Sequence, residues 1–251
     1  MSVLVERRDD AVAVVTIDRQ EALNALNVET LTELRDRLRE LAEDDSASVV
    51  VLTGAGERAF VAGADIKYMG GLDASEAKEW GALGHEAARL LEEMPKPTIA
   101  AINGFALGGG CELALGCDLR HASSNARLGQ PEIDLGIVPG WGGTQRLARV
   151  CGLGFAKELI LTGRLVDAEE AQARGLVNGL ADPVLEKALE VARLLAAKSP
   201  LALAVAKRLV NVAPSAIEAE AAEFAELFAS EDAHEGMSAF VEKREPKFVG
   251  R

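Results

Sequence analysis

The sequence predicts an α/β fold that ends in a helical section, and three observations carry that prediction. Residues 12–17, 49–53 and 98–102 are short runs of β-branched and small apolar residues, the composition of buried strands. Between the first two, Leu31, Leu34, Leu38 and Leu41 recur at helical spacing among charges, which marks an amphipathic helix. Beyond Asp182 nearly every residue is a good helix former, in Ala-rich segments near 185–197, 201–211 and 215–229 punctuated by Pro200 and Pro214.

The remaining elements follow in order. Residues 76–94 form a second helical stretch, stopped by Pro95 and Pro97. The strand at 98–102 then closes on an Asn103-Gly104 turn. The character changes after Gly152. Asp167 and Glu170 are spaced as a capping box opening a short helix that stops at Gly175. Helix dominates from about 196, so the expected division is an α/β core over 1–195 and a helical C-terminal section over 196–251. No internal repeat or low-complexity linker interrupts it.

Composition narrows the function. Of 251 residues 49% are hydrophobic but only 4% aromatic, so the core is built from small and branched aliphatic side chains. A net charge of -13 repels phosphate backbones and counts against nucleic acid as a partner. Cys111, Cys117 and Cys151 lack a C-x-x-C spacing and lie in apolar segments, which reads as reduced, buried thiols. His85, His121 and His234 have no metal-type spacing, so no metal is expected. No apolar run reaches the ~18 residues that span a bilayer. The charges from Glu6 to Asp10 leave no room for a leader peptide, and a cytoplasmic protein is expected.

The residues with chemical potential cluster around glycine-rich turns. Gly108, Gly109 and Gly110 follow a strand and a turn and open a helix. Glycines there admit a ligand close to the backbone, and the helix N-terminus offers unpaired N–H groups. A tight strand-to-helix connection would equally use them for packing alone. Glu112 lies in the first turn of that helix, where a carboxylate either caps the helix or does acid–base work. A second carboxylate, Glu132, precedes the glycine-rich segment 136–143. Two glutamates beside such turns are what acid–base work on a small substrate requires, one taking a proton and the other giving one. A third segment, 58–67, carries an Ala62-Gly63-Ala64 turn.

Taken together, segments 62–67, 103–118, 130–132, 140–147, 162–171 and 236–244 resemble, in order and spacing, the enoyl-CoA hydratase/crotonase family across nearly the whole chain. The resemblance implies a spiral of strand-strand-helix units with a helical C-terminal section that assembles trimers, often paired into hexamers. It implies hydration of a trans-2-enoyl-CoA to a 3-hydroxyacyl-CoA, as in fatty-acid degradation, with no cofactor beyond the coenzyme A of the substrate. By position, Ala64 and Gly109 match the family's oxyanion-hole N–H donors. Glu112 matches the glutamate that activates water, and Glu132 the one that protonates the α-carbon. The backbone around Ala62, Asp65 and Ile66 resembles the adenine-recognising turn. Arg58 and Lys243 are expected phosphate contacts, with Phe240 near the adenine, from its own or a neighbouring subunit.

One residue departs from the family pattern. Trp141 stands where many relatives carry a smaller side chain. Lining the acyl pocket, it would shorten or reshape it; facing the core, it would say nothing of substrate. The expectation is a short or medium acyl chain. Isomerases share this fold, but shifting a double bond needs only the later glutamate, so the presence of both favours hydration. A non-catalytic RNA-binding role is disfavoured by the charge and the lack of a basic stripe.

Overall fold

The computed structural model describes residues 2–198, 200–211 and 231–244. In chain order the first half comprises β1 (Val3–Arg7), β2 (Val12–Ile17), α1 (Val28–Glu43), β3 (Val49–Gly54), β4 (Ala59–Val61), α2 (Ile66–Met69), α3 (Ala74–Glu93), β5 (Thr98–Ile102), β6 (Phe105–Leu107) and α4 (Gly109–Gly116). The second half comprises β7 (Leu119–Ala122), β8 (Arg127–Gly129), a 3-10 turn (Pro131–Leu135), α5 (Gly143–Cys151), α6 (Leu153–Thr162), β9 (Val166–Asp167), α7 (Ala168–Ala173), β10 (Gly179–Leu180), α8 (Val184–Ala196), α9 (Pro200–Val210) and α10 (Glu231–Glu242).

Two sheets result. The larger runs β1-β2-β3-β5-β7-β10, parallel except for the β1–β2 pair; the smaller runs β4-β6-β8-β9. Each of β3, β5 and β7 is followed by a short strand of the smaller sheet and then by helix. That makes three strand-strand-helix turns, the spiral expected from the sequence. Asn103 ties two corners of the spiral together: its amide nitrogen donates to the carbonyls of Gly54 (2.8 Å) and Gly56 (2.6 Å).

The strand residues alternate between two cores, as a period of two requires. Ala13, Val15, Val50, Leu52, Ala100 and Ile102 face the main core, where Leu31, Leu34, Leu38 and Leu41 of α1 are also buried. Val12, Val14, Val49, Val51, Ile99 and Ala101 face the opposite way, against Val184, Ala188, Leu189 and Ala192 of α8. The larger sheet is therefore covered on both faces.

Several predicted elements need adjustment. The Asp167 carboxylate does cap α7, accepting from the Glu170 N–H (2.8 Å), but only half of the expected capping box forms. The Glu170 side chain turns instead to the Arg164 guanidinium (2.9 and 2.7 Å). The short strands of the smaller sheet were not predicted, being too brief to show a period. The helical segment expected near 215–229 lies outside the described residues.

Candidate active site

Gly108 makes the corner from β6 into α4. It holds φ 51° and ψ -123°, a backbone state that side-chain-bearing residues avoid, and its N–H donates to the Gly129 carbonyl (2.9 Å). Any Cβ there would also lie 2.7 Å from an oxygen of Glu132. The corner brings Gly109 to the first helical position. Its N–H, and that of Ala64 on the turn after β4, enter none of the backbone hydrogen bonds among the described residues.

Glu112 follows one turn into α4 and is only 1% exposed. Its Oε1 accepts from the N–H of Trp141 (2.7 Å) and from that of Gly143 (2.8 Å), the first residue of α5. A buried carboxylate is costly without partners. Here two backbone donors and a helix N-terminus hold it. The glycine-rich segment 140–143 is thus what fixes Glu112, a role its sequence did not disclose.

Glu132 reaches the same cavity from the 3-10 turn, whose first residue is Pro131, and is 8% exposed. The amide of buried Gln130 faces both its oxygens, and of the two ends of an amide only the NH2 donates. In that orientation the Gln130 nitrogen donates at 3.1 Å to Oε1 and 3.2 Å to Oε2.

Between these groups lies a cavity of about 210 Å³. Ala62, Ala64, Ile66, Gly109, Glu112, Glu132, Trp141 and Phe240 all line it. Arg58, Asp65 and Lys243 do not; Arg58 and Lys243 are exposed. Asp65 instead caps α2, accepting from the N–H groups of Lys67 (3.2 Å) and Tyr68 (3.4 Å), and pairs with Arg19 at 3.4 Å. The N–H groups of Ala62 and Asp65 are taken by the carbonyls of Leu23 (3.1 Å) and Leu26 (2.8 Å).

Trp141 settles between its two readings by satisfying both: it lines the cavity yet is only 2% exposed. Its ring lies edge-on to Trp80, with centroids 5.1 Å apart at 77°. Phe240, 59% exposed, reaches the cavity from the same chain. Helix α10 lies close against the 3-10 turn, since a Cβ on Gly236 would come 2.3 Å from the Leu135 carbonyl. Met69, Trp80, Leu107, Leu135 and Ile137 complete an apolar wall that the sequence reading missed, because scattered aliphatics carry no signature.

The nearby thiol is silent. Burial, and then the charges of Glu132 and Glu112, push Cys111 well above the ordinary thiol range, so it holds no nucleophilic thiolate at neutral pH. Among the described residues no three His, Cys, Asp or Glu side chains cluster as metal ligands, and no helix is long and apolar enough to cross a membrane.

Comparison with known proteins gives a consistent result. A model of the enoyl-CoA hydratase/isomerase family matches residues 7–251. The crotonyl-CoA hydratase of Syntrophomonas wolfei is 45% identical, covering 99% of this chain and 98% of its own. The short-chain-enoyl-CoA hydratase of Clostridium acetobutylicum is 47% identical over 96% of this chain and 95% of its own. Among solved structures, carnitinyl-CoA hydratase from Mycobacterium avium superposes with a TM-score of 0.88 at 40% identity, covering 100% of this chain and 99% of that one. With the spiral and its cavity, these likenesses place the chain in the enoyl-CoA hydratase/isomerase family.

Proposed function

We propose that the protein is an enoyl-CoA hydratase, reversibly adding water to a trans-2-enoyl-CoA to give the 3-hydroxyacyl-CoA. The observation that carries this reading is the meeting of two buried glutamates, Glu112 and Glu132, in one cavity with two uncommitted N–H groups. Relatives that hydrate crotonyl-CoA and short-chain enoyl-CoA support it.

The chemistry follows from the groups. The thioester carbonyl accepts from the N–H groups of Ala64 and Gly109, which stabilise the enolate-like oxygen where water is largely excluded. Glu112 takes a proton from the water that attacks the β-carbon, and Glu132 delivers one to the α-carbon. The reverse path exchanges these roles. Coenzyme A enters only as part of the substrate. The acyl chain lies along the apolar wall and ends at Trp141 and Trp80, so a short chain fits best.

For the coenzyme A portion we assign the adenine to the turn around Ala62, Asp65 and Ile66, through backbone groups other than the two N–H groups already taken. Phe240 covers the cavity mouth nearby, and the exposed Arg58 and Lys243 serve the phosphates. We further infer a cytoplasmic homo-oligomer of threefold symmetry. Exposed Leu194, Leu209 and Val210 on α8 and α9 support an assembly surface.

Loss of absorbance at the enoyl thioester band, followed with crotonyl-CoA and then with longer enoyl-CoA chains, tests the reading. Turnover that falls as the chain lengthens is expected. Absence of hydration with every chain length, by folded protein, would overturn it.

A further inference from the structure

We propose that Arg146, held by Glu92, is a positioning residue for Glu112; this rests on the hydratase reading above. Arg146 on α5 is a charged side chain buried in the core, 1% exposed, yet it does not line the cavity, and its hydrogen bonds go to Glu92 and the Trp141 carbonyl. Its Nη1 donates to the Trp141 carbonyl (2.8 Å), while Nε and Nη2 grip one oxygen of Glu92 (2.9 and 2.6 Å). Glu92 stands in the last turn of α3 and also accepts from Arg149 (2.6 Å).

The consequence lies in the peptide that Arg146 holds. The Trp141 carbonyl belongs to the 141–142 peptide unit, which sits between the two N–H groups that Glu112 accepts from, those of Trp141 and Gly143. Fixing that peptide plane fixes the spacing and aim of both donors. Gly142 completes the arrangement: its φ of 105° is left-handed, and a Cβ there would lie 2.0 Å from Arg146 Nη1. The sequence from Trp141 to Arg146 is therefore one device, a turn shaped by a guanidinium four residues into the following helix. Only a planar fork can serve Glu92 and the carbonyl together; a lysine ammonium cannot keep both at these angles.

The test is a double-mutant cycle on crotonyl-CoA hydration, with thermal melts confirming folding. Arg146→Lys is expected to lower kcat by roughly ten- to a hundredfold, the scale of a small misplacement of a reacting group, with KM changed less than about threefold. In a Glu112→Gln background the same substitution is expected to cost less than about threefold, because groups acting as one unit are not additive. Losses that multiply in the double variant would mean a general structural effect and overturn the proposal. So would an Arg146→Lys protein that turns over at the parental rate. Should Arg146→Lys fail to fold, Glu92→Gln, which keeps an acceptor oxygen but loosens the grip, is read by the same criteria. Parental activity in Glu112→Gln alone would instead remove the hydratase reading, and the positioning role with it.

Discussion

The indole of Trp141 lies flat against the backbone of Gly84 in α3: a Cβ built on Gly84 would come 2.2 Å from the ring. Gly109 flanks the same ring, with the corresponding approach also 2.2 Å. Trp141 is thus accommodated by two glycines. Gly84→Ala gains helix propensity of about 1 kcal/mol. Overpacking against a rigid ring costs more, so a net loss of about 1–2 kcal/mol is expected. A lower melting temperature together with a shifted tryptophan emission would bear this out; an unchanged or raised melting temperature would contradict it.

Trp141 also predicts chain length. Trp141→Leu removes an aromatic wall beside Trp80 and leaves space at the deep end of the cavity. The ratio of kcat/KM for an eight-carbon over a four-carbon enoyl-CoA is expected to rise about tenfold, the scale of one or two methylenes in an apolar pocket. A ratio that stays put would mean the chain runs elsewhere.

Acid stability should depend on His85. Burial, and then the charges of Arg146 and Arg89, push its imidazole from 6.5 down to about 4. The unfolded chain therefore takes up a proton before the folded one does, and protonation favours unfolding. This group's contribution is complete above about pH 6.5 and declines as pH falls toward about 4, by about 3 kcal/mol in all. His85→Gln should flatten that part of the acid limb. Melting curves at pH 7 and pH 5 that drop equally for both proteins would contradict it.

Helix α9 should depend on one ammonium. Lys207 Nζ pairs with Asp118 (2.8 Å) and donates to the carbonyls of Leu91 (2.8 Å) and Lys96 (2.9 Å). Burial pushes the Asp118 carboxyl up even against the pull of Lys207. Lys207→Met leaves that half-buried carboxylate without its cation, held by the N–H and hydroxyl of Thr98 (2.7 and 3.1 Å), at a cost of about 3 kcal/mol. Faster amide exchange across α9 is the expected sign, and parental protection there the contrary one.

The sequence made the frame of the molecule legible where a period ran long enough. The stripe of Leu31, Leu34, Leu38 and Leu41 located α1, and the apolar run at 98–102 located β5 with both ends correct. Three-residue strands such as β4, β6 and β8 carry no period, and only the tertiary pairing reveals them. At the site, Glu112, Glu132, Ala64 and Gly109 were visible as motif positions. Their meeting in one cavity was not, because it depends on corners such as Gly108 and on contacts between residues far apart in the chain. The role of Arg146 was invisible for a related reason: it acts through Glu92, 54 residues away in the chain. The expectation for Asp65 concerned its backbone; that its carboxylate caps α2 was not read from the sequence.

The most direct test of the central claim is the rate of crotonyl-CoA hydration by Glu112→Gln relative to the parent. The substituted amide keeps an oxygen to accept from the N–H groups of Trp141 and Gly143, so the turn and fold are retained while proton exchange at neutral pH is lost. The account predicts a fall on the order of 100- to 10,000-fold, the worth of a positioned base, with the melting temperature little changed. Hydration at close to the parental rate would contradict it and would leave Glu132 alone, the arrangement suited to moving a double bond rather than adding water.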